Sequence, residues 1–456
     1  MEEYTEKQRK AVLRMAVVTS FVTTFMGSAL NLSIPAIETE FAVSGAMVGW
    51  IVTAYTLTVA AFSVPMGKLA DATGRRRILL IGIAVFGLLN VAISMVANIK
   101  VMVFLRVLQG IFGSMIFATN NAILISVFPG NQRGRVLGIS TAAVYTGLSL
   151  GPVLGGFLNQ NFGWRSIFLF STAIAVCSFL FAWMGAPRDQ KGTGLKVDAA
   201  GSILFIFGIA SFLYGLTSLT TNRFGWIFLV IGIALGILFF FVESRAEDPV
   251  IRVTMFTKDL VFTLSNFAAL LNYGSTFAIT YLVSIFLQIV FGYSSQTAGL
   301  ILVCMPVVQA CIAPVSGRAS DKIAPYKLAT AGMLFCVSGL IVLSFLQADS
   351  GIAHVIVALV LEGIGFGLFS SPNTNAIMSC VEKKDYSVAN SILATMRNVG
   401  HSSSMSIVTI IVGLFLGTSS LDAAGPDLLI RTMHTCFHVF IVLCTIGVFF
   451  SLARKK

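Results

Sequence analysis

Long apolar runs alternate with short polar breaks from one end of this chain to the other. A helix needs about 20 apolar residues to cross the hydrocarbon core of a bilayer. Fourteen runs meet that length: Val12–Ile37, Ala46–Met66, Ile78–Ala97, Val101–Val127, Val136–Leu158, Trp164–Gly185, Ala199–Thr220, Trp226–Val242, Leu260–Val290, Ala298–Ser316, Leu328–Leu346, Ile352–Ser379, Val388–Leu416 and Arg431–Leu452. The ninth is long for one span and is read as including an interfacial segment before Phe267. The pattern predicts an all-α polytopic membrane protein.

Composition agrees. Of 456 residues, 56% are apolar and only 11% are charged, against roughly 25% charged in a soluble domain. The first run has no small-residue cleavage site and reads as a retained span. A net charge of +11 would suit nucleic acid in a soluble protein. Here the basic residues sort by side, as in membrane proteins whose cytoplasmic loops collect Lys and Arg. With the N-terminus inside, the outer segments hold only Lys100, Arg165, Arg223 and Arg431. The inner segments hold every other Lys and Arg outside the spans, from Lys7 to Lys456. Both termini are therefore expected in the cytoplasm, and no nucleic-acid partner is expected.

Seven cysteines (Cys177, Cys304, Cys311, Cys336, Cys380, Cys436, Cys444) lie in or beside apolar runs with no metal-ligand spacing, and read as small buried hydrophobes. No nucleotide-binding Gly-x-x-x-x-Gly-Lys-Ser/Thr loop and no nucleophile–base set is present. Neither an enzyme nor a cofactor is indicated.

One polar break is unusual. Gly67 to Arg77 reads GKLADATGRRR. A positive-inside loop explains its arginines but not Gly67, Asp71 and Gly74 at spacings of four and three. Gly67-Lys-Leu-Ala-Asp71 recurs as Gly317-Arg-Ala-Ser-Asp321, and Leu108 to Met115 (LQGIFGSM) recurs as Leu361 to Leu368 (LEGIGFGL). Parallel repeats of six helices occur in transporters. The repeat offset exceeds a six-helix half by about two spans, so the chain divides into 1–186 (six helices), 187–258 (two inserted helices) and 259–456 (six helices).

The loop Gly67-x-Leu-x-Asp71-x-x-Gly74-Arg75-Arg76 resembles the signature between helices 2 and 3 of the major facilitator superfamily. Further stretches resemble its 14-span drug:proton antiporter branch: Trp50 and Tyr55 through Pro65; Val197-Asp198-Ala-Ala-Gly201-Ser202; Gln288, Gly292, Ala298, Gly299, Pro306, Pro314 to Gly317; and Asn375, Asn390, Arg397, Gly400. Arg106-x-x-Gln109-Gly110 resembles the helix-4 arginine motif. Gly147-x-x-x-Gly151-Pro152-x-x-Gly155-Gly156 resembles the helix-5 antiporter motif. Glycines four apart make a smooth strip for close helix approach, which generic packing also explains. The resemblance implies proton-driven export of an amphipathic small molecule by a monomer embedded in lipid. An importer or facilitator on the same fold and a non-transporting receptor remain alternatives. It also implies that Asp71 caps the start of the thirteenth span, with Asp321 of the second copy mattering less. One departure stands out: the branch carries an acid five positions before the matching Asn31, and here that position is Met26.

Charges at mid-span are costly and mark function by default. Arg106, Glu362 and Arg397 are the clear cases, with His401 one turn beyond Arg397. The family fold lines its cavity with spans 1, 4, 9 and 12. That arrangement would set Glu362 and Arg106 across one cavity, with Glu362 either the proton carrier or half of a static ion pair. Asn31, Tyr55, Gln109, Asn120, Asn272, Tyr273, Asn375, Arg397 and His401 are the candidate substrate contacts, with Asn121 a further polar group. His354, His434 and His438 read as packed or interfacial.

Overall fold

The architecture described here is that of a computed structural model. It describes residues 4–43, 45–188, 198–219, 224–416 and 426–454; Lys191, Lys196, Val197, Arg223, Lys455 and Lys456 lie outside them. The elements are α1 (Glu6–Ala29), a 3-10 turn (Leu30–Ser33), α2 (Ile34–Phe41), α3 (Gly45–Thr73), α4 (Arg75–Ser94), α5 (Ile99–Val127), α6 (Arg133–Phe162) and α7 (Arg165–Gly185). Then come α8 (Ala199–Ser218), α9 (Gly225–Glu243), the short α10 (Thr254–Lys258), α11 (Leu260–Thr276), α12 (Ile279–Ile289), α13 (Ser295–Leu302) and α14 (Cys304–Ala319). α15 (Pro325–Ser344), α16 (Ile352–Ser379), α17 (Tyr386–Leu416) and α18 (Pro426–Leu452) complete the chain. Among the described residues, 14 helical stretches are long and apolar enough to cross a membrane.

Local chemistry sets the helix starts. Thr5 and Gln8 form a capping box on α1, with the Gln8 amide donating to Thr5 Oγ1 at 3.3 Å. Asn98, Asp198 and Asp259 accept from the first-turn amides of α5, α8 and α11 at 2.8, 3.0 and 3.0 Å. Three spans are broken. Span 1 tightens into 3-10 at Leu30–Ser33, and Pro35 then sits in the first turn of α2, where its missing N–H costs nothing. Span 9 is interrupted between Thr276 and Ile279, and the Ala278 amide there donates to Ser404 Oγ of α17 at 3.1 Å. Span 10 breaks at Val303, because Pro306 has no N–H for the Leu302 carbonyl. The interfacial segment expected before Phe267 is instead α10, since α11 runs unbroken through Phe267 from its Asp259 cap.

Two cores form. One gathers residues from Val12 to Ala186, and the other gathers the helices from Phe262 to Val448 with a few N-terminal residues at the seam. α8 and α9 form a hairpin through bare backbone: a Cβ on Gly215 would fall 2.7 Å from Leu229 Cα. α8 rests on both halves. Tyr214 stacks on Trp50 of α3 at 5.7 Å, and Ser406 of α17 donates to the Leu216 carbonyl at 2.7 Å. α9 leaves most of its apolar side chains exposed, as a lipid-facing helix does. Cys177 and Cys311 are exposed as well, which corrects the reading of all seven cysteines as buried; a thiol is apolar enough to face lipid. Beyond α18, Arg454 folds back and donates to Ser265 Oγ at 2.9 Å and Asn373 Oδ1 at 2.6 Å, burial pulling its guanidinium down to about 10. His354 and His434 bind the Val342 and Leu346 carbonyls at the end of α15, at 2.7 and 2.6 Å, a packed role.

Candidate gate and substrate site

The two copies of the Gly-x-x-x-Asp motif build one device twice. Asp71, at the end of α3, accepts from the amides of Ser387 and Val388 at 3.1 Å each, capping α17 across the seam. Asp321, beyond α14, accepts from the amides of Gly134 and Arg135 at 2.7 and 2.8 Å, capping α6. A carboxylate at a helix N-terminus is favoured by the exposed amides and the dipole. Asp321 is thus placed as well as Asp71, although its copy of the loop is degenerate.

Glycines let the backbones come close enough. A Cβ on Gly67 would fall 2.8 Å from the Ser387 carbonyl, and one on Gly317 would fall 2.8 Å from Gly138 Cα. Gly74 holds φ 124° between α3 and α4, a conformation that glycine takes without strain. Arg75 completes the first seal. It pairs with Asp71 at 2.7 Å, donates to Ser387 Oγ at 3.0 Å and to the Lys383 carbonyl, and lies against the Tyr386 ring. Arg76 turns away and donates to the Trp183 carbonyl of α7 at 2.7 Å. Deeper in the seam, Asn390 of α17 donates to the Phe117 carbonyl at 2.5 Å. The bundle is closed at the end that carries the basic loops.

Beyond that seal lies a cavity of about 40 Å³ between the halves. α1 lends it Thr19, Ser20 and Thr23; α5 lends Ile116, Phe117, Asn120 and Asn121; α6 lends Val144; α17 lends Asn390 and Arg397. Tyr145 of α6 and Tyr273 of α11 border the Arg397 side, and the guanidinium carbon lies 5.8 Å from the Tyr273 ring centroid. His401 stacks on Phe277 at 4.1 Å and meets Tyr273 edge-on. Asn120 donates to Ser20 Oγ at 2.9 Å while its Oδ1 is buried without a partner.

Several expected contacts are elsewhere. Arg106 is buried inside the N-terminal half. It donates to the Ile51 carbonyl at 2.8 Å and to Gln109 Oε1 at 2.6 Å, and sits 4.5 Å over the Tyr55 ring. Gln109 passes the contact on to Asn90 at 2.6 Å. Arg106, Gln109 and Tyr55 therefore join α3, α4 and α5 and do not line the seam. Glu362 is buried in the other half against α15: a Cβ on Gly339 would fall 2.8 Å from its Oε1. The Cys336 thiol approaches it without a well-directed hydrogen bond. Glu362 and Arg106 do not face each other. They lie on repeat-related faces of α16 and α5, and both faces turn into their own bundle. Asn272 is buried beside Cys336, and Asn375 donates to Ser320 Oγ at 3.1 Å near the gate. The side chain of Asn31 lies outside the described residues.

The helix-5 strip packs within one half. Cβ atoms on Gly147, Gly151 and Gly155 would fall 2.9, 2.9 and 2.7 Å from Phe21 O, Ser28 Cβ and Ala29 O of α1. Pro152 and Gly156 are half-exposed, and α6 stays continuous through Pro152.

The sequence matches the Major Facilitator Superfamily over residues 16–405, and again over 265–456. The chain belongs to that superfamily. It is a multi-pass transporter of the cell membrane, not an enzyme. It is 31% identical over 399 residues to the riboflavin transporter RibZ of Clostridioides difficile, covering 86% of each chain. It is 28% identical over 410 residues to the multidrug resistance protein Stp of Mycobacterium tuberculosis, covering 87% of this chain and 75% of Stp. Among solved structures, the human organic anion transporter MFSD10 superposes with TM-score 0.71 at 12% identity, covering 97% and 99% of the two chains, a likeness of fold alone.

The residues that sequence reasoning missed at the seam are Thr19, Ser20, Thr23 and Tyr145. Hydroxyls are ordinary in membrane helices, and nothing in their spacing marked them. Gly134 and Gly138, which carry the close approach of α6 to α14, were also missed, although GNQRG and LGIS do flag small residues at the start of span 5.

Proposed function

We propose that the protein exports amphipathic small molecules across the cell membrane in exchange for protons, as a monomer, by alternating access. Segments 1–186 and 259–456 act as two rocking bodies, with the inserted pair 187–258 riding on their seam. The observation that carries this reading is the doubled Asp cap. Two helices, one from each half, are held at their N-termini by a carboxylate of the opposite half, and both caps lie at the same end. Breaking both would open that end and leave the cavity facing it. Taking the basic loops as cytoplasmic, as their charge favours, we read the sealed end as the cytoplasmic one.

Export is supported by the helix-5 strip on α1 and by relatives named as a multidrug efflux pump and as a resistance and export protein. For proton coupling, Glu362 remains the candidate. It is a fully buried carboxyl with no cation beside it among the described residues, in a place where a charge costs several kcal/mol. It reaches the cavity only through the wall, since Asn272 beside Cys336 adjoins Tyr273 on α11. Protonation there would bias the C-terminal half between two packings.

The test uses purified protein in sealed vesicles with an imposed pH gradient and cationic, neutral and anionic compounds. Wild type should move at least one compound against its gradient. Glu362→Gln should lose driven efflux and substrate-induced proton release, yet retain exchange down a gradient. Equal proton release by both proteins would make Glu362 structural. The likeness to RibZ favours a second reading, riboflavin as cargo. Riboflavin accumulation in the same vesicles, with the gradient imposed in each direction, separates the two.

A further inference from the structure

We infer that the substrate carries an anionic group seated on Arg397, and that the cavity selects against cations. This rests on the transport reading above and specifies its substrate class. Arg397 is the one charged residue among those that line the cavity. It makes no ion pair among the described residues; its contact is the face of Tyr273. The rest of the wall is neutral: hydroxyls such as Ser20, and the amides of Asn120, Asn121 and Asn390. The three buried acids among the described residues all lie away from the cavity lining. Asp71 caps α17 at the gate, Glu362 faces α15, and Glu243, at the end of α9, accepts from the Ile251 amide at 3.2 Å. Met26, where the resemblance implies an acid, accepts from Ser171 Oγ at 3.2 Å and is buried.

A guanidinium in a shielded wall without a counter-charge is a preformed seat for a carboxylate, sulfonate or phosphate, because its planar fork donates two parallel hydrogen bonds. A cationic ligand there would meet like charge with nothing to offset it. Aromatic surface for the body of the ligand is at hand in Tyr273, Tyr145 and the Phe277–His401 stack. At the edge of this cavity Asn390 and the Phe117 carbonyl hold the two halves together, so the halves must part before a ligand reaches Arg397 from the closed end.

The test is equilibrium dialysis of the full chain in lipid nanodiscs at neutral pH. Three probes share one ring: 2-naphthoate, 2-naphthamide and 2-naphthylmethylammonium. Empty nanodiscs give the lipid background. The expected order is anion, neutral, cation, with at least about tenfold between the first two, the scale of a charge-assisted hydrogen bond in a shielded site. Arg397→Gln should erase the gap between naphthoate and naphthamide and leave naphthamide binding within about threefold. Arg397→Lys should keep the order with a smaller gap. If Arg397→Gln fails to fold, the wild-type order and Arg397→Lys still decide. A wild type that binds the cation best, or an order unchanged in Arg397→Gln, overturns the inference and leaves the transport reading standing. No binding of any probe above the empty nanodiscs overturns the inference, and the vesicle assay then decides the transport reading by itself.

Discussion

A carboxylate inside or beside a membrane protein is worth what its partners make of it. Asp71 and Asp321 each take two backbone amides, and hydrogen bonds to a charged group contribute roughly 1.5–3 kcal/mol. Neutralising either should loosen the closed state by a similar amount. Asp71→Asn and Asp321→Asn are therefore expected to lower turnover comparably, each by about tenfold, while the protein still inserts. Initial rates in vesicles check this, and wild-type rates for Asp321→Asn would return that residue to a minor role. Glu40, outside the spans, offers a pH test. Hydrogen bonds from Arg165 hold it below its ordinary 4.5, mild desolvation works against them, and Trp164 adds a third bond at 2.6 Å. A lowered folded value means its stabilisation is present above the unfolded value and is lost as pH falls through the folded one. The carboxyl is well exposed, so Glu40→Gln should cost at most about 1 kcal/mol at pH 7. That difference should shrink in melts stepped down in pH below the ordinary 4.5; a difference that grew on acidification would contradict the pairing.

At the scale of elements, the glycine strip of α6 matters because α1 lies on it backbone to side chain. Replacing Gly151 by Leu places a side chain where Ser28 and Ala29 already are. Overpacking of this kind costs about 1–3 kcal/mol, and here it would separate the two helices that lend the cavity its N-terminal hydroxyls and Val144. Export should fall sharply and passive leak of the same compound should rise. Unchanged export and leak would mean that the strip is not a closing surface. The breaks in spans 1, 9 and 10 fit the same scale. Each occurs where a proline or a side-chain hydroxyl meets the backbone, so each is paid for locally.

The whole molecule closes at one end through both seals at once, so opening should be concerted. Spin labels at Arg135→Cys and Lys322→Cys, in a background lacking the native cysteines, flank the Asp321 cap on opposite halves. Both positions are exposed. Distance measurements should give one short population in the resting protein and a second, longer one in Asp71→Asn, although Asp71 belongs to the other seal. A single unchanged distance in that variant would show that the two seals move independently.

From the sequence alone, hydrophobic length fixed the spans, the sorting of Lys and Arg marked one end of the bundle, and the repeated Gly-x-x-x-Asp spacing marked both seals. These are properties of single residues and short segments, so they survive without coordinates. The direction in which a mid-span polar residue faces did not survive. Arg106, Gln109, Tyr55, Glu362 and Asn272 turn into their own bundles, while Arg397 and Asn120 turn to the cavity and Tyr145 packs into the core of the other half. In a soluble helix an apolar stripe would reveal the facing. In a membrane, lipid and protein interior are equally apolar, so every face of a span reads alike, and only the packing of the fourteen helices decided which buried charge a substrate can meet.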